Sequence, residues 1–243
     1  MTIQPATGQS FFPVLLGSLL LLAFGCATVQ DEIDPSLQAD LKESLSKAPT
    51  DELSKSYDPL SLLQRAETFY DGKNFVEAAA EYEYFLNLHP LHRWAAYAQY
   101  KLGLSYFYQI QTVDRDIEPV LKALTAFQKL LDLYPDSPFQ EATLKKVRLC
   151  KDWLAEREFY IGHLYYKKSA YPAAIMRFQE VVQDYPESAI VDKAMYYLAL
   201  SHQRLGELEK AKQGLKELLE KYPNTQYRKE IMRLLSTPDG QET

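Results

Sequence analysis

The sequence has few of the residues that build catalytic, metal or redox centres. Its 243 residues include only two cysteines and four histidines, and no C-x-x-C, H-E-x-x-H, G-x-S-x-G or Walker pattern occurs. Cys150 shares a helical face with Val147 and Leu154, which favours a small buried apolar residue over a reactive thiol. These absences predict a protein that is not an enzyme and that holds no cofactor and no metal ion.

An excess of positive charge is missing as well. The net charge is −6, and eight acidic residues against three lysines lie between Ala27 and Asp58, so this stretch alone carries −5. Because nucleic-acid-binding proteins need a basic surface, we expect no nucleic-acid partner. The acidic residues 26–56 are predicted to form a flexible, solvated linker with one short helix around Leu37–Leu45.

The apolar run from Phe11 to Gly25 is too short to cross a bilayer comfortably and ends in small residues, as secretion signals do. Cys26, which follows it, resembles the lipobox cysteine of bacterial lipoproteins, which is acylated and becomes the new N-terminus. The resemblance implies a signal peptide over residues 1–25 and a lipid anchor on Cys26. Ala27 in place of Asp behind that cysteine implies export to the outer membrane. The alternative is an ordinary buried cysteine on an apolar helix.

A helical unit that closes with a proline recurs four times between Tyr57 and Met232. In each copy an alanine, an aromatic residue or leucine four positions later, and a proline eight positions after that keep the same spacing. The four sets are Ala78, Tyr82 and Pro90; Ala123, Phe127 and Pro135; Ala174, Phe178 and Pro186; and Ala211, Leu215 and Pro223. This pattern is typical of the tetratricopeptide repeat, a helix–turn–helix unit of about 34 residues.

One such unit cannot bury its own apolar face, so neighbouring units stack into a superhelix with a concave surface. The sequence therefore predicts an all-α fold, a superhelical array of about four to five tetratricopeptide repeats over residues 57–235. Residues 236–243 are expected to form a disordered tail. Repeats of this kind usually bind proteins.

Residues 113–186 resemble a narrower family. An acid–Arg–acid insert at Val113–Asp116 separates the helices of the second unit, and a long helix then leads to a sharp turn at KKSAY and the helix PAAIMRFQEVVQDYP. This order resembles the BamD (ComL-like) family of outer-membrane assembly lipoproteins, from about Tyr57 to Tyr227. An adaptor that resembles YbgF, which coordinates cell-envelope processes, is the alternative, although its repeats lack the insert.

The resemblance implies a periplasmic scaffold lipoprotein of the β-barrel assembly (BAM) complex, lipid-anchored in the outer membrane and facing the periplasm. Its implied partners are the POTRA domains of a BamA-like barrel protein, other BAM lipoproteins and unfolded outer-membrane β-barrel proteins. The substrate's own folding supplies the energy, so no nucleotide site is implied.

Two sites follow from these predictions. Aromatic and apolar side chains on the free arc of the helix that carries Gly103, with their counterpart in the first unit, are expected to line a substrate groove: Tyr70, Tyr97, Tyr100, Leu104, Phe107 and Tyr108. The alternative is that they pack against the preceding repeat. The resemblance further implies that Arg177 contacts an acidic residue of a POTRA domain. The alternative is a solvated surface arginine paired with Glu180 on its own helix.

Overall fold

The computed structural model describes residues 33–49 and 57–236, and every regular element in these ranges is an α-helix. The predicted all-α fold is thus confirmed. The helices are α1 Pro35–Leu45, α2 Pro59–Asp71, α3 Phe75–Leu88, α4 Ala95–Phe107, α5 Glu118–Leu133, α6 Gln140–Lys167, α7 Tyr171–Asp184, α8 Val191–Arg204, α9 Leu208–Lys221 and α10 Arg228–Ser236. The predicted signal peptide, Cys26 and residues 237–243 of the predicted tail lie outside the described residues.

Each helix packs against the next one along the chain, so that α2 with α3, α4 with α5, α6 with α7 and α8 with α9 form four successive pairs. These pairs occupy the positions of the four sequence units. The alanine of every unit is buried, and so is the aromatic residue or leucine one turn later. None of the helices in the described ranges is long and apolar enough to cross a membrane.

Two glycines let the helices of a pair approach closely. A Cβ atom on Gly103 in α4 would lie 2.4 Å from the ring of Phe127 in α5. A Cβ atom on Gly162 in α6 would lie 2.8 Å from the ring of Phe178 in α7. Real Cβ atoms do not come so close to their neighbours, because atoms in a packed interior have no room to yield. The close packing of each of these two helix pairs therefore requires a glycine at this position.

The segment predicted to be a flexible linker contains a packed helix. Asp34 accepts a hydrogen bond of 2.7 Å from the backbone N–H of Ser36 and so caps the start of α1. Leu41 is buried with the residues of the first helix pair, and Arg93 donates to the carboxylate of Asp40. The short helix predicted around Leu37–Leu45 is therefore present as α1, and it packs on the first helix pair through Leu41 instead of being solvated.

Candidate functional site

Three of the six predicted groove residues lie in the core. Tyr97, Tyr100 and Leu104 are 4%, 1% and 0% exposed, and the ring of Tyr100 stacks on that of Phe139 at 5.1 Å between centroids. Their prediction as groove residues is wrong, and they pack in the core instead, with Tyr97 and Tyr100 against Phe139 of the following helix pair and not only against the preceding repeat. The physical reason is that α4 is apolar on nearly all sides, which is the pattern of a helix covered by neighbours all round.

The other three groove residues meet at one surface. Tyr70 and Phe107 are half-buried, and Tyr108 is 39% exposed. The ring of Phe75, which the sequence analysis did not single out, stacks on Tyr108 at 5.1 Å and meets Tyr70 edge-on at 5.4 Å. Phe107 contacts Tyr108 at 5.8 Å. The end of α2, the start of α3 and the end of α4 thus bring four aromatic rings together.

Two lysines lie over these rings. The Nζ atom of Lys101 is 3.3 Å from the ring centroid of Tyr70. The Nζ atom of Lys146 in α6 is 4.6 Å from the centroid of Phe107 and 5.3 Å from that of Tyr108. Both lysines are buried, where a cation–π contact is strongest. We call these six residues, Tyr70, Phe75, Phe107, Tyr108, Lys101 and Lys146, the aromatic–lysine patch.

A partly buried carboxylate, that of Glu67, pairs with a lysine of this patch. Glu67 accepts a hydrogen bond from the hydroxyl of Tyr82 and pairs with Lys101 at 3.4 Å. Burial and the neighbouring Glu67 also raise the pKa of Tyr97 far above its usual value. Lys101 balances the negative charge of Glu67 and the tyrosine hydroxyl donates to it, so the lysine above Tyr70 is held by a polar network.

Arg177, the predicted partner-binding residue, lies on α7 with its side chain 39% exposed. Its Nη1 atom donates to Glu158 of α6 at 2.9 Å and to Glu180 of its own helix at 2.7 Å. The ion pair with Glu180, which the sequence analysis gave as the alternative to a partner contact, is therefore present. Both bonds use the same nitrogen, so within the described residues Nε and Nη2 have no hydrogen-bond acceptor. That edge of the guanidinium can still donate two parallel hydrogen bonds.

Glu158 holds this arginine from the neighbouring helix, which the sequence analysis did not predict. Its carboxylate is only 14% exposed, and its second oxygen accepts a hydrogen bond of 3.0 Å from Arg157. A carboxylate in this position restrains the rotamer of Arg177, which lies across the gap between α6 and α7. No local sequence signal could have revealed a pair formed by two separate helices.

The metal-ligating and thiol side chains of residues 33–49 and 57–236 are dispersed or buried. No group of three histidine, cysteine, aspartate or glutamate residues in these ranges could hold a metal ion. Cys150 is fully buried, and burial raises the pKa of its thiol to about 12. A thiol with so high a pKa is inert as a nucleophile, and this residue serves to fill the core.

The chain is similar in sequence to proteins of a known family. Residues 42–214 match the YfiO family, described as outer membrane lipoprotein. The outer membrane protein assembly factor BamD of Rickettsia prowazekii (strain Madrid E) is 31% identical over 177 residues, which cover 73% of this chain and 70% of that protein. The factor of the same name from Neisseria meningitidis serogroup A / serotype 4A (strain DSM 15465 / Z2491) is 30% identical over 216 residues, 83% and 79% of the two chains.

Among solved structures, the crystal structure of MamA protein is 18% identical and covers 77% of this chain and 86% of that one. Its TM-score of 0.29 is too low for the superposition to carry a structural argument.

Proposed function

The chain belongs to the YfiO outer membrane lipoprotein family, and from this premise we propose that it is a periplasmic scaffold of the BAM complex. It supports the insertion of β-barrel proteins into the outer membrane without catalysing a reaction. The observation that carries the proposal is the identity of about 30% to relatives named outer membrane protein assembly factor, over most of the repeat region.

Arg177 is the proposed contact to the POTRA domains of a BamA-like barrel protein. Its Nε–Nη2 edge is free of acceptors among the described residues, and Glu158 and Glu180 hold the opposite side of the guanidinium. A planar fork restrained in this way loses little conformational entropy when it grips a carboxylate with two hydrogen bonds. An acidic residue of the POTRA domain suits this edge. Other BAM lipoproteins are proposed to join the same assembly.

The aromatic–lysine patch is the proposed site for unfolded barrel segments. A transmembrane β-strand alternates apolar and polar side chains, so an extended segment presents a row of apolar groups along one side. Aromatic rings give such a row a large contact area at a small cost in rotamer entropy. The lysines above Tyr70, Phe107 and Tyr108 keep the rings in place before the segment arrives.

Cys26 is the proposed membrane anchor, and it places the repeats on the periplasmic side of the outer membrane. Each buried CH₂ of an acyl chain contributes about 0.8 kcal/mol, so several chains hold a protein far more firmly than one. Replacement of Cys26 by serine should yield a soluble or unprocessed protein whose repeats remain folded. Mass spectrometry of the wild-type protein checks the proposal, because an unmodified N-terminus upstream of Cys26 contradicts it.

The partner contact is tested by titrating the isolated membrane-proximal POTRA domain of the cognate BamA-like protein into purified wild-type protein and Arg177→Glu. Reversal of a desolvated charge pair costs about 2–5 kcal/mol, so binding should be lost. Arg65→Glu is the matched control, because Arg65 pairs with Glu81 between the two helices of the first unit. An unchanged Kd for Arg177→Glu would leave this arginine as an ordinary surface residue.

A pull-down from detergent-solubilised envelope tests the assembly as a whole. We expect a BamA-like barrel protein to co-purify with the lipidated wild-type protein. Recovery of envelope proteins without any barrel protein would favour the YbgF-like adaptor function.

A further inference from the structure

The connection between α4 and α5 is longer than the corresponding connection in the other three helix pairs. It spans the ten residues 108–117, whereas α2 and α3, α6 and α7, and α8 and α9 are each joined by three residues. The extra residues include the acid–Arg–acid insert, which the proposed function does not explain. Three residues suffice to reverse the chain between paired helices, so the longer connection requires another explanation.

Hydrogen bonds tie this connection to two neighbouring helices. The indole N–H of Trp153 in α6 donates to the carbonyl of Gln111 at 3.2 Å. The carboxylate of Asp116 accepts a hydrogen bond of 2.9 Å from the backbone N–H of Glu118, the first residue of α5. The first residue of the connection is Tyr108, which belongs to the aromatic–lysine patch. The connection is therefore a fixed part of the surface beside the patch.

Gln109 follows Tyr108 in this connection and joins two helices of different pairs. Its Nε2 atom donates to the carbonyl of Phe75 at 3.1 Å and to the carbonyl of Ser105 at 3.0 Å. One side chain thus links the first residue of α3 to the last turn of α4. Phe75 accepts one of these bonds and Tyr108 precedes the donor, so the link lies next to their stacked rings.

The amide oxygen of Gln109 is left without a partner by this arrangement. The two N–H groups of Nε2 are both used by the carbonyls of Phe75 and Ser105, which fixes the direction of the amide plane. Within residues 33–49 and 57–236, Oε1 has no hydrogen-bond donor, and it is not among the buried polar atoms that lack one. The side chain therefore holds an acceptor that solvent can reach, in a fixed orientation beside a group of aromatic rings.

An unfolded barrel segment presents the groups that match this arrangement. A strand that has not yet paired carries backbone N–H groups without acceptors. In an extended segment, side chains at positions i and i+2 lie about 6.6 Å apart on one side, and the N–H groups point sideways. The ring centroids of Tyr70 and Tyr108 are 6.3 Å apart. Two successive apolar side chains can therefore contact these rings while a backbone N–H faces the neighbouring residue.

We propose that Gln109 binds the backbone of the unfolded barrel segment that the aromatic–lysine patch receives, with Oε1 accepting a hydrogen bond from one backbone N–H. The inference rests on the proposed function and adds a contact that does not depend on the side chains of the segment. Every residue except proline has a backbone N–H, so this contact accepts segments of different sequence. The long connection and its bond to Trp153 keep Gln109 in place.

The experiment combines a variant of Gln109 with changes in the backbone of the ligand. The probe is a fluorescein-labelled peptide of about ten residues, the length of a transmembrane β-strand, in which phenylalanine and valine alternate with threonine and asparagine. A series of peptides replaces one backbone amide at a time by an ester, which removes the N–H and keeps every side chain. Fluorescence polarisation gives the Kd of each peptide for the purified full-length protein.

One ester position should weaken binding to the wild type by roughly two- to tenfold, the effect of one hydrogen bond. Gln109→Leu should weaken binding of the all-amide peptide by a similar factor. In this variant the same ester should have no further effect, because the bond is already lost. Gln99→Leu is the matched control, since Gln99 donates at 2.9 Å to the carbonyl of Ala126 in α5, outside the patch. It should keep the wild-type Kd for every peptide.

The outcomes separate this inference from the proposed function. Weakened binding in Tyr108→Ala, with the same ester effects in Gln109→Leu as in the wild type, overturns the backbone contact and leaves the patch standing. A wild-type Kd in Tyr108→Ala removes the patch as the binding site, and the inference with it. Equal losses in Gln109→Leu and Gln99→Leu also overturn the inference. If circular dichroism shows that Gln109→Leu does not fold, the ester series on the wild type decides, because one Kd for all peptides excludes a backbone contact.

Discussion

Replacement of Gly103 by alanine should destabilise the protein, although alanine is the better helix former. The new Cβ atom would lie 2.4 and 2.5 Å from two ring atoms of Phe127, a residue with no solvent exposure. Carbon atoms prefer a separation of about 3.5–4.0 Å, so the ring or helix α5 would have to move by about 1 Å. The fully buried ring has no open space to move into.

The size of the effect follows from two opposing contributions. Overpacking of a filled core costs about 1–3 kcal/mol, and the gain in helix propensity is about 1 kcal/mol. The difference is a net loss of about 0–2 kcal/mol, centred on about 1 kcal/mol, in the free energy of unfolding. For a domain of this size, a loss of about 1 kcal/mol lowers the Tm by roughly 2–4 °C. Gly214→Ala is the matched control, because its new Cβ atom makes only an ordinary contact at 3.5 Å. It should raise the Tm by about 2–4 °C.

Thermal unfolding followed by circular dichroism measures both variants beside the wild type. A second test combines Gly103→Ala with Phe127→Leu. The smaller side chain makes room for the methyl group, so the two substitutions together should cost less than the sum of their separate effects. A Tm for Gly103→Ala at or above the wild-type value would refute the reasoning, and so would strict additivity with Phe127→Leu.

Three further predictions concern the core, the patch and the N-terminal helix. Tyr100→Ala should cost about 3–5 kcal/mol of stability because its ring is buried. Tyr108 is 39% exposed, so Tyr108→Ala should lower the Tm much less than Tyr100→Ala does, and it should weaken binding of a barrel-derived peptide in fluorescence polarisation. Burial and two nearby lysines lower the pKa of His163, so the unfolded chain binds that proton more readily and stability should fall as the pH drops below about 6.5. His163→Phe should flatten this part of the fall in Tm between pH 7.5 and 5.5, and an identical slope would contradict it. Leu41→Asp should detach α1, seen as new protease cleavage within residues 33–49, and full protection would contradict the packing of α1.

The aromatic residues of α4 mark the limit of what could be predicted from the sequence. The spacing that identified the repeats predicted the four helix pairs correctly, because it depends on contacts between two successive helices. The exposure of Tyr100 depends instead on Phe139, which belongs to the next helix pair and stacks on its ring. The apolar character of α4 on all sides could have indicated this burial, whereas the position of Lys146 over Phe107 left no local pattern.

The sequence by itself determined the all-α fold and the register of its four helix pairs. The period of a helix decides which residues share a face, and small residues and prolines at fixed intervals decide where paired helices touch and end. Only the tertiary structure decided which faces remain exposed. Glu158 reaches Arg177 from another helix, and Gln109 links the end of α4 to the start of α3. Such arrangements depend on contacts between elements that are distant in sequence, and the spacing of residues within one element does not specify them.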